Sequence, residues 1–209
     1  MESHVPSVRM LKHRGFTMTE LSIVLGIMGL VLGAIWTASA TVYERYRVNK
    51  AVYQTTAILQ KMRTLYAEQN TFDSGPLTAS MLAANIFSPD MISNGIPRNP
   101  WGTTSPVADV ANAGIGVGAM PGVGWGFGGP AFPRGDHLQI VFWGVPRSVS
   151  IQLISRFTGQ NAGDVDFAYC DGPVAGTVTF PNPRNATPAD LIACGNGPNL
   201  VNIVLYFRK

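Results

Sequence analysis

The feature that most constrains this chain is an uncharged, mostly apolar run from Leu21 to Tyr43. As an α-helix rising about 1.5 Å per residue, the run spans roughly 34 Å, enough to cross a bilayer core of about 30 Å. A secretory signal peptide has a shorter apolar core of about 7–15 residues. The run therefore predicts a membrane-spanning helix, and hydropathy alone leaves open a plain signal anchor.

Basic residues flank the run on both sides. Arg9, Lys12 and Arg14 precede it, whereas Arg45, Arg47 and Lys50 follow Glu44. A short basic N-terminal segment tends to stay in the cytoplasm. We therefore expect the long C-terminal part of the chain to be translocated.

The composition excludes several classes of protein. Of 209 residues, 46% are hydrophobic and only 13% are charged, which excludes a highly charged disordered chain. The 23 Gly and 15 Pro follow no collagen-like period. The net charge of +3 is too small to indicate nucleic-acid binding, so we infer no nucleic-acid partner.

The segment before the run carries a specific motif, Arg14-Gly15-Phe16-Thr17-Met18-Thr19-Glu20-Leu21. It resembles the processing site of type IV prepilins and type II secretion pseudopilins. The resemblance implies that a prepilin peptidase cuts between Gly15 and Phe16 and that Phe16 becomes the N-methylated first residue. Residues 1–15 would then be a cleaved leader peptide.

Glu20 lies at the edge of the apolar run, where an ionisable group is costly unless it has a partner. The resemblance implies a role in assembly, in which Glu20 neutralises the N-terminal amine of a neighbouring subunit in a filament. A local alternative is that Glu20 caps the start of the helix, because a carboxylate suits the N-terminal dipole. Both interpretations stay open at this point.

The helix is predicted to continue beyond the run as an amphipathic half. The spacing of four and three residues predicts one buried stripe of Val48, Val52, Thr55, Leu59, Met62 and Tyr66. We therefore predict one helix from about Phe16 to Glu68, with a transmembrane and polymerisation part at 16–43 and an amphipathic part at 44–69. Gly29 and Gly33 form a GxxxG pair, which permits close helix packing in lipid or reflects the abundance of Gly in membrane helices.

Residues 70–209 are predicted to form a globular head. We expect helices at 78–86 and 148–157 and strands at 137–145, 165–169, 174–180 and 200–207, the last of them central in its sheet. The Gly-rich segment 114–129 indicates a flexible or wide hairpin loop, and no helix follows its GxGxxG pattern to form a dinucleotide site. The fold class is therefore α+β, with the long helix on an antiparallel sheet, as in the pilin-like roll. Asn99-Pro100-Trp101-Gly102 also resembles the loop that precedes the sheet in pilin-like heads.

Two cysteines, Cys170 and Cys194, lie in the part predicted to be translocated. An even pair outside the cytoplasm favours a disulfide, with two buried free thiols as the alternative. No catalytic motif is present, and His137 is the one histidine that would survive cleavage, so we predict no enzyme. We predict no cofactor; Asp164, Asp166 and Asp171 are either solvated turn residues or a calcium site, as in some pseudopilins.

The resemblance implies the structural subunit of a type IV pilus, a homo-oligomer in a helical filament that is built by an assembly platform and an ATPase. The precursor would lie in the inner membrane with its head in the periplasm, and the assembled pilus would be extracellular. A type II secretion pseudopilin or a minor pilin is the nearest alternative, and a signal-anchored periplasmic binding domain is an alternative of another class. The cysteines, the head and the leader length favour the type IVb class, whereas Phe16 is commoner in the other pilin class.

Overall fold

The computed structural model describes residues 15–69, 71–72, 75–103, 113–119, 137–159, 165–171, 178–180, 183–194 and 200–208. Helix α1 is continuous from Met18 to Leu65 and has 48 residues. The predicted helix agrees with it to within a few residues at each end. The chain forms two compact units, which we call the N-terminal unit (to Tyr43) and the head unit (from Glu44).

In the head unit, α1 buries the predicted stripe. Val48, Thr55, Leu59 and Met62 are buried, and Ala51 and Ile58 beside them are fully enclosed. Because these positions recur every three or four residues, one face of the helix is apolar and the opposite face meets solvent. That face packs on the sheet of the head.

The head unit contains one sheet of six strands, all paired antiparallel, in the order β1-β4-β5-β8-β6-β7. Its strands are β1 (Gly75–Pro76), β4 (Ile115–Ala119), β5 (His137–Pro146), β6 (Val165–Asp171), β7 (Val178–Phe180) and β8 (Leu200–Arg208). Strands β2 (Ile92–Ser93) and β3 (Ile96–Pro97) form a separate hairpin. Within the described residues, the short α-helices are α2 (Thr78–Ala83), α3 (Arg147–Ser155) and α4 (Pro188–Cys194).

The terminal strand β8 lies between β5 and β6, which confirms its predicted central position. Its side chains alternate between two buried faces of the sheet. Ile203 and Leu205 join the large core that includes α1, whereas Val204 and Tyr206 pack with Trp143 on the other face. A strand buried on both faces is apolar throughout, and the sequence of β8 shows this pattern.

The beginning of the Gly-rich segment differs from the prediction, because Ile115–Ala119 forms strand β4 rather than a loop. Ile115, Val117 and Ala119 alternate with glycines, so the three apolar side chains share the core face. At Gly114 a Cβ atom would lie 2.6 Å from the backbone of Asn99 and of Thr103, so only glycine fits there. The GxGxxG pattern at 124–129 lies outside the described residues.

Two helices in the head also differ from the sequence prediction. Helix α4 has no counterpart among the predicted elements, and α2 ends at Ala83 rather than at residue 86. The hydroxyl of Thr78, the first residue of α2, accepts a hydrogen bond from Val117 N at 2.9 Å and donates to Val117 O at 3.2 Å. Thr78 therefore ties α2 to β4 instead of capping the helix.

Candidate processing and assembly site

Gly15 and Phe16 precede α1 and lie exposed at its N-terminal end. Phe16 is 86% exposed, and a Cβ atom built on Gly15 would meet no atom within 4 Å. The fold of this chain therefore does not require a glycine at position 15. If a bulky residue there blocks cleavage, the reason lies in recognition by the peptidase.

Thr17 and Glu20 form a reciprocal cap at the start of α1. The backbone N–H and the hydroxyl of Thr17 donate to Glu20 Oε2 at 2.8 and 2.9 Å. The backbone N–H of Glu20 donates in return to Thr17 Oγ1 at 3.2 Å. This T-x-x-E arrangement is a capping box, which satisfies backbone donors that the helix itself leaves open.

The capping box shows that the local interpretation of Glu20 holds in the single chain. Glu20 is exposed, and its carboxylate is bound by its own helix start rather than by a neighbour. Pairing with another subunit remains a prediction, and it would compete with Thr17 for the same carboxylate. Thr17 was not among the predicted site residues, although the T-x-x-E spacing from Thr17 to Glu20 is the sequence signal of a capping box.

The apolar run is exposed along the whole N-terminal unit. Leu30 is 75% exposed and Trp36 is 81% exposed, and none of the most hydrophobic segment is buried within the chain. Helix α1 is long and apolar enough to cross a membrane by its length and composition. Exposed apolar surface on this scale marks a segment that is covered by lipid or by protein partners.

Two hydroxyl side chains within the run form hydrogen bonds inside the helix. Ser22 donates to Met18 O at 2.9 Å, and Thr37 donates to Ala34 O at 2.9 Å. Such bonds remove the cost of placing a hydroxyl in a bilayer core, where water cannot serve as a partner. The run is thus compatible with lipid at these two polar positions.

Gly29 and Gly33 lie on this exposed surface of α1. A Cβ atom at either position would meet nothing within 4 Å in this chain. No packing inside the chain therefore explains the GxxxG pair. Packing against another helix and the general abundance of Gly in membrane helices both remain consistent with it.

The predicted disulfide is present between Cys170 and Cys194. It joins strand β6 to the last residue of α4, with the two Cα atoms 5.6 Å apart. Both cysteines are buried in the main core. The bond therefore fixes the C-terminal region of the head across the segment that contains edge strand β7.

Asn99 links the loop before the sheet to two strands. Its Nδ2 donates to Trp143 O at 2.7 Å, to Thr103 Oγ1 at 2.7 Å and to Gly114 O at 3.1 Å. Its Oδ1 accepts a hydrogen bond from Trp101 N at 3.0 Å. Trp101 packs against the main core.

The residues considered for calcium do not form a site in the part of the chain that is described. Asp166 Oδ2 lies 3.2 Å from His137 Nε2 and 3.7 Å from Arg208 Nε. Asp164 lies outside the described ranges, and no group of three candidate ligands occurs within them. Calcium binding therefore remains a prediction, and the partners shown for Asp166 are a histidine of β5 and an arginine of β8.

Comparisons with known proteins agree with this geometry. The family profile described as the prokaryotic N-terminal methylation motif matches residues 10–36, which include Gly15, Phe16 and Glu20. A search among curated protein sequences found no match.

One solved structure with a similar fold is TcpA, a type IV pilin from Vibrio cholerae El Tor biotype, with a TM-score of 0.50 and 12% sequence identity. The alignment covers 77% of this chain and 98% of that one. At this identity the likeness concerns the fold alone. The chain thus carries the prokaryotic N-terminal methylation motif and has the fold of a type IV pilin, which confirms its predicted resemblance to the type IV pilin and prepilin family.

Proposed function

We propose that this chain is the structural subunit of a type IV pilus. The observation that carries the proposal is the methylation motif at residues 10–36, placed on an exposed apolar helix whose head has the pilin fold. Motif and fold together support a subunit of the pilus or pseudopilin type. Proteins of this family are structural subunits and not enzymes.

In this proposal a prepilin peptidase cuts between Gly15 and Phe16, and Phe16 is then N-methylated. The precursor lies in the inner membrane through residues 16–43, with its head in the periplasm. An assembly platform and a cytoplasmic ATPase then add the subunit to an extracellular filament. The exposed apolar run supports the membrane stage, because it needs lipid before other copies cover it.

Filament growth would require Glu20 to exchange its capping bonds for the amine of a neighbouring subunit. A charged amine and a charged carboxylate are each costly in low dielectric, and pairing offsets part of that cost. The capping box leaves the carboxylate exposed, so a neighbour can reach it.

Two variants separate the assembly role of Glu20 from its capping role. Glu20→Ala removes both, whereas Thr17→Ala removes the hydroxyl partner but keeps the carboxylate. We expect both proteins to stay in the membrane fraction. We expect Glu20→Ala to reduce the amount of subunit in filaments sheared from the cell surface by at least about tenfold, because an unpaired amine in low dielectric costs more than about 1.4 kcal/mol. Thr17→Ala should retain most of the wild-type amount of subunit in the filaments.

Normal assembly of Glu20→Ala would contradict the pairing role. An equal loss in both variants would show that the cap, not the pairing, is required. A pseudopilin of a secretion system remains the nearest alternative, because the resemblance of the processing site includes that class. For a pseudopilin, the sheared filament fraction would lack the chain while the mature protein stays with the cell envelope.

A further inference from the structure

The basic residues that follow the apolar run lie on the side of the membrane where basic residues are usually less frequent. Arg45, Arg47 and Lys50 lie on the side that is translocated in the proposed topology, although basic residues generally favour the cytoplasmic side. Arg45 is exposed, and Arg47 and Lys50 are half-buried on α1. Positive charge is the property that these three residues share.

The fold brings a fourth cation to the same end of the head unit. Helix α3 begins at Arg147, and Ser148 Oγ donates to Glu44 Oε1 at 3.5 Å, so the first turn of α3 lies beside the first residue of the head unit. Arg147 is exposed. Arg45, Arg47, Lys50 and Arg147 together are named here the basic collar.

The collar carries four cationic side chains. Among the described residues around it, Glu44 and Asp90 are the facing carboxylates, and Lys50 Nζ lies 3.8 Å from Asp90 Oδ2. Both Lys50 and Asp90 remain substantially open to solvent, so their pairing is weak.

The N-terminal end of α3 adds a second source of positive potential. Its capping position is Pro146, and no side chain caps the helix there. The first turn of a helix presents open backbone N–H groups that favour anions. Arginine in addition binds phosphate through two parallel hydrogen bonds.

Tyr46 adds a residue type that is common at the membrane–water interface. It is 59% exposed and lies between Arg45 and Arg47 on α1. Tyrosine is enriched where a membrane helix leaves the hydrocarbon, and arginine and lysine extend from there to the phosphates.

We infer that the basic collar docks the head on anionic phospholipid headgroups at the translocated surface of the membrane. The inference rests on the proposed function, in which Leu21–Tyr43 spans the bilayer. Glu44 directly follows that run, so the next turns of α1 fall at headgroup depth. Lipid phosphates are the anions present at high density at that depth. The lipid surface is therefore the binding partner that we assign to the basic collar.

The test uses the full chain reconstituted in phosphatidylcholine vesicles with a trace of spin-labelled lipid. Electron spin resonance gives the relative affinity of the protein for labelled phosphatidylglycerol over labelled phosphatidylcholine. We expect about a fivefold preference for the anionic lipid at low salt, decreasing toward equality in 0.5 M NaCl. Arg45→Gln combined with Arg147→Gln should reduce the preference to about twofold or less.

The matched control is Arg156→Gln combined with Arg184→Gln, which removes the same charge from two exposed positions outside the collar. This control should keep the wild-type preference, and an equal loss in both double variants would overturn the inference. Crosslinking in the same vesicles tests a second copy as the occupant. If the collar variant loses crosslinked dimers and keeps its lipid preference, the collar binds protein and the inference is wrong.

Extraction with alkaline carbonate distinguishes this inference from the proposed function. If the chain is extracted, it does not span the bilayer, and the proposed function fails together with the inference. If the chain resists extraction but shows no preference for the anionic lipid, only the inference fails.

Discussion

At the scale of single residues, one arrangement begins two helices of this chain. Thr17 and Glu20 cap α1, and Thr187 and Asp190 cap α4 in the same way. In α4 the hydroxyl and the backbone N–H of Thr187 donate to Asp190 Oδ2 at 2.7 and 2.9 Å. Both helices therefore begin where a threonine is followed three residues later by an acid.

The cap of α4 predicts a dependence of stability on pH. The hydrogen bonds from the Thr187 side chain and backbone lower the pKa of Asp190. Because the folded-state pKa is depressed, the stabilisation is present above the unfolded pKa of about 3.9 and is lost as pH falls through the folded value. Asp190→Asn should lower the Tm of the full chain in detergent at pH 7, and the difference from wild type should vanish near pH 2. A difference that does not change with pH would contradict this cap.

Asn99 predicts a larger effect on stability. Asn99→Ala removes the side-chain donor of Gly114 O and the side-chain acceptor of Trp101 N, whereas Trp143 O keeps the Thr103 hydroxyl as a donor at 2.6 Å. We expect a loss of about 2 kcal/mol in the free energy of unfolding. Asn49→Ala, at an exposed position on α1, is the control and should change stability by less than about 0.5 kcal/mol. Denaturant unfolding in detergent measures both, and equal midpoints for the two variants would show that the Asn99 hydrogen bonds are not stabilising.

These residues show which single-residue roles could be predicted from the sequence and which could not. Glu20 was identified because a carboxylate beside an apolar run is unusual whatever the fold. Thr17 was readable from the same local spacing but was missed. The hydrogen bonds of Asn99 could not be predicted, because Trp143 lies 44 residues away and reaches Asn99 only through the sheet.

At the scale of elements, periodicity predicted the long helix and the strands that are apolar throughout. Helix α1 and strands β5 and β8 carry strong patterns, and each was predicted within a few residues. Strand β4 was missed because glycine occupies alternate positions, which dilutes the apolar signal. Helix α4 has only 7 residues and is held by the disulfide and its cap. Its formation therefore depends on tertiary contacts rather than on a local sequence pattern.

The disulfide gives a prediction for the C-terminal elements. Replacing both Cys170 and Cys194 by Ala removes a crosslink that closes a segment of sequence separation 24. The chain-entropy relation predicts a loss of about 3 kcal/mol in the free energy of unfolding. Denaturant unfolding of the full chain in detergent measures it, with the oxidised wild type as reference. A loss below about 1 kcal/mol would contradict a stabilising role for the crosslink.

At the scale of the whole molecule, the two units present different surfaces. The head unit encloses its own core, whereas the N-terminal unit exposes nearly all of its large apolar side chains. A chain with such a segment requires a bilayer or other copies of the same helix. That requirement follows from the sequence, because the uncharged run has no polar face to turn toward water.

Processing would also change the charge of the molecule. Removal of residues 1–15 takes away Arg9, Lys12, Arg14 and Glu2, and most of the net charge of +3 goes with them. The mature subunit would then be nearly neutral. A nearly neutral subunit packs in many copies with little net repulsion, which suits a filament.

The central claim is that the chain is a processed pilin, and the intact mass of protein purified from the cell envelope tests it most directly. The account predicts the mass of residues 16–209 with one added N-methyl group and two hydrogens fewer for the Cys170–Cys194 disulfide. The Gly15→Leu variant should have the mass of its own uncleaved chain, residues 1–209, because the peptidase would no longer cut. A wild-type envelope protein that retains residues 1–15 would contradict the account.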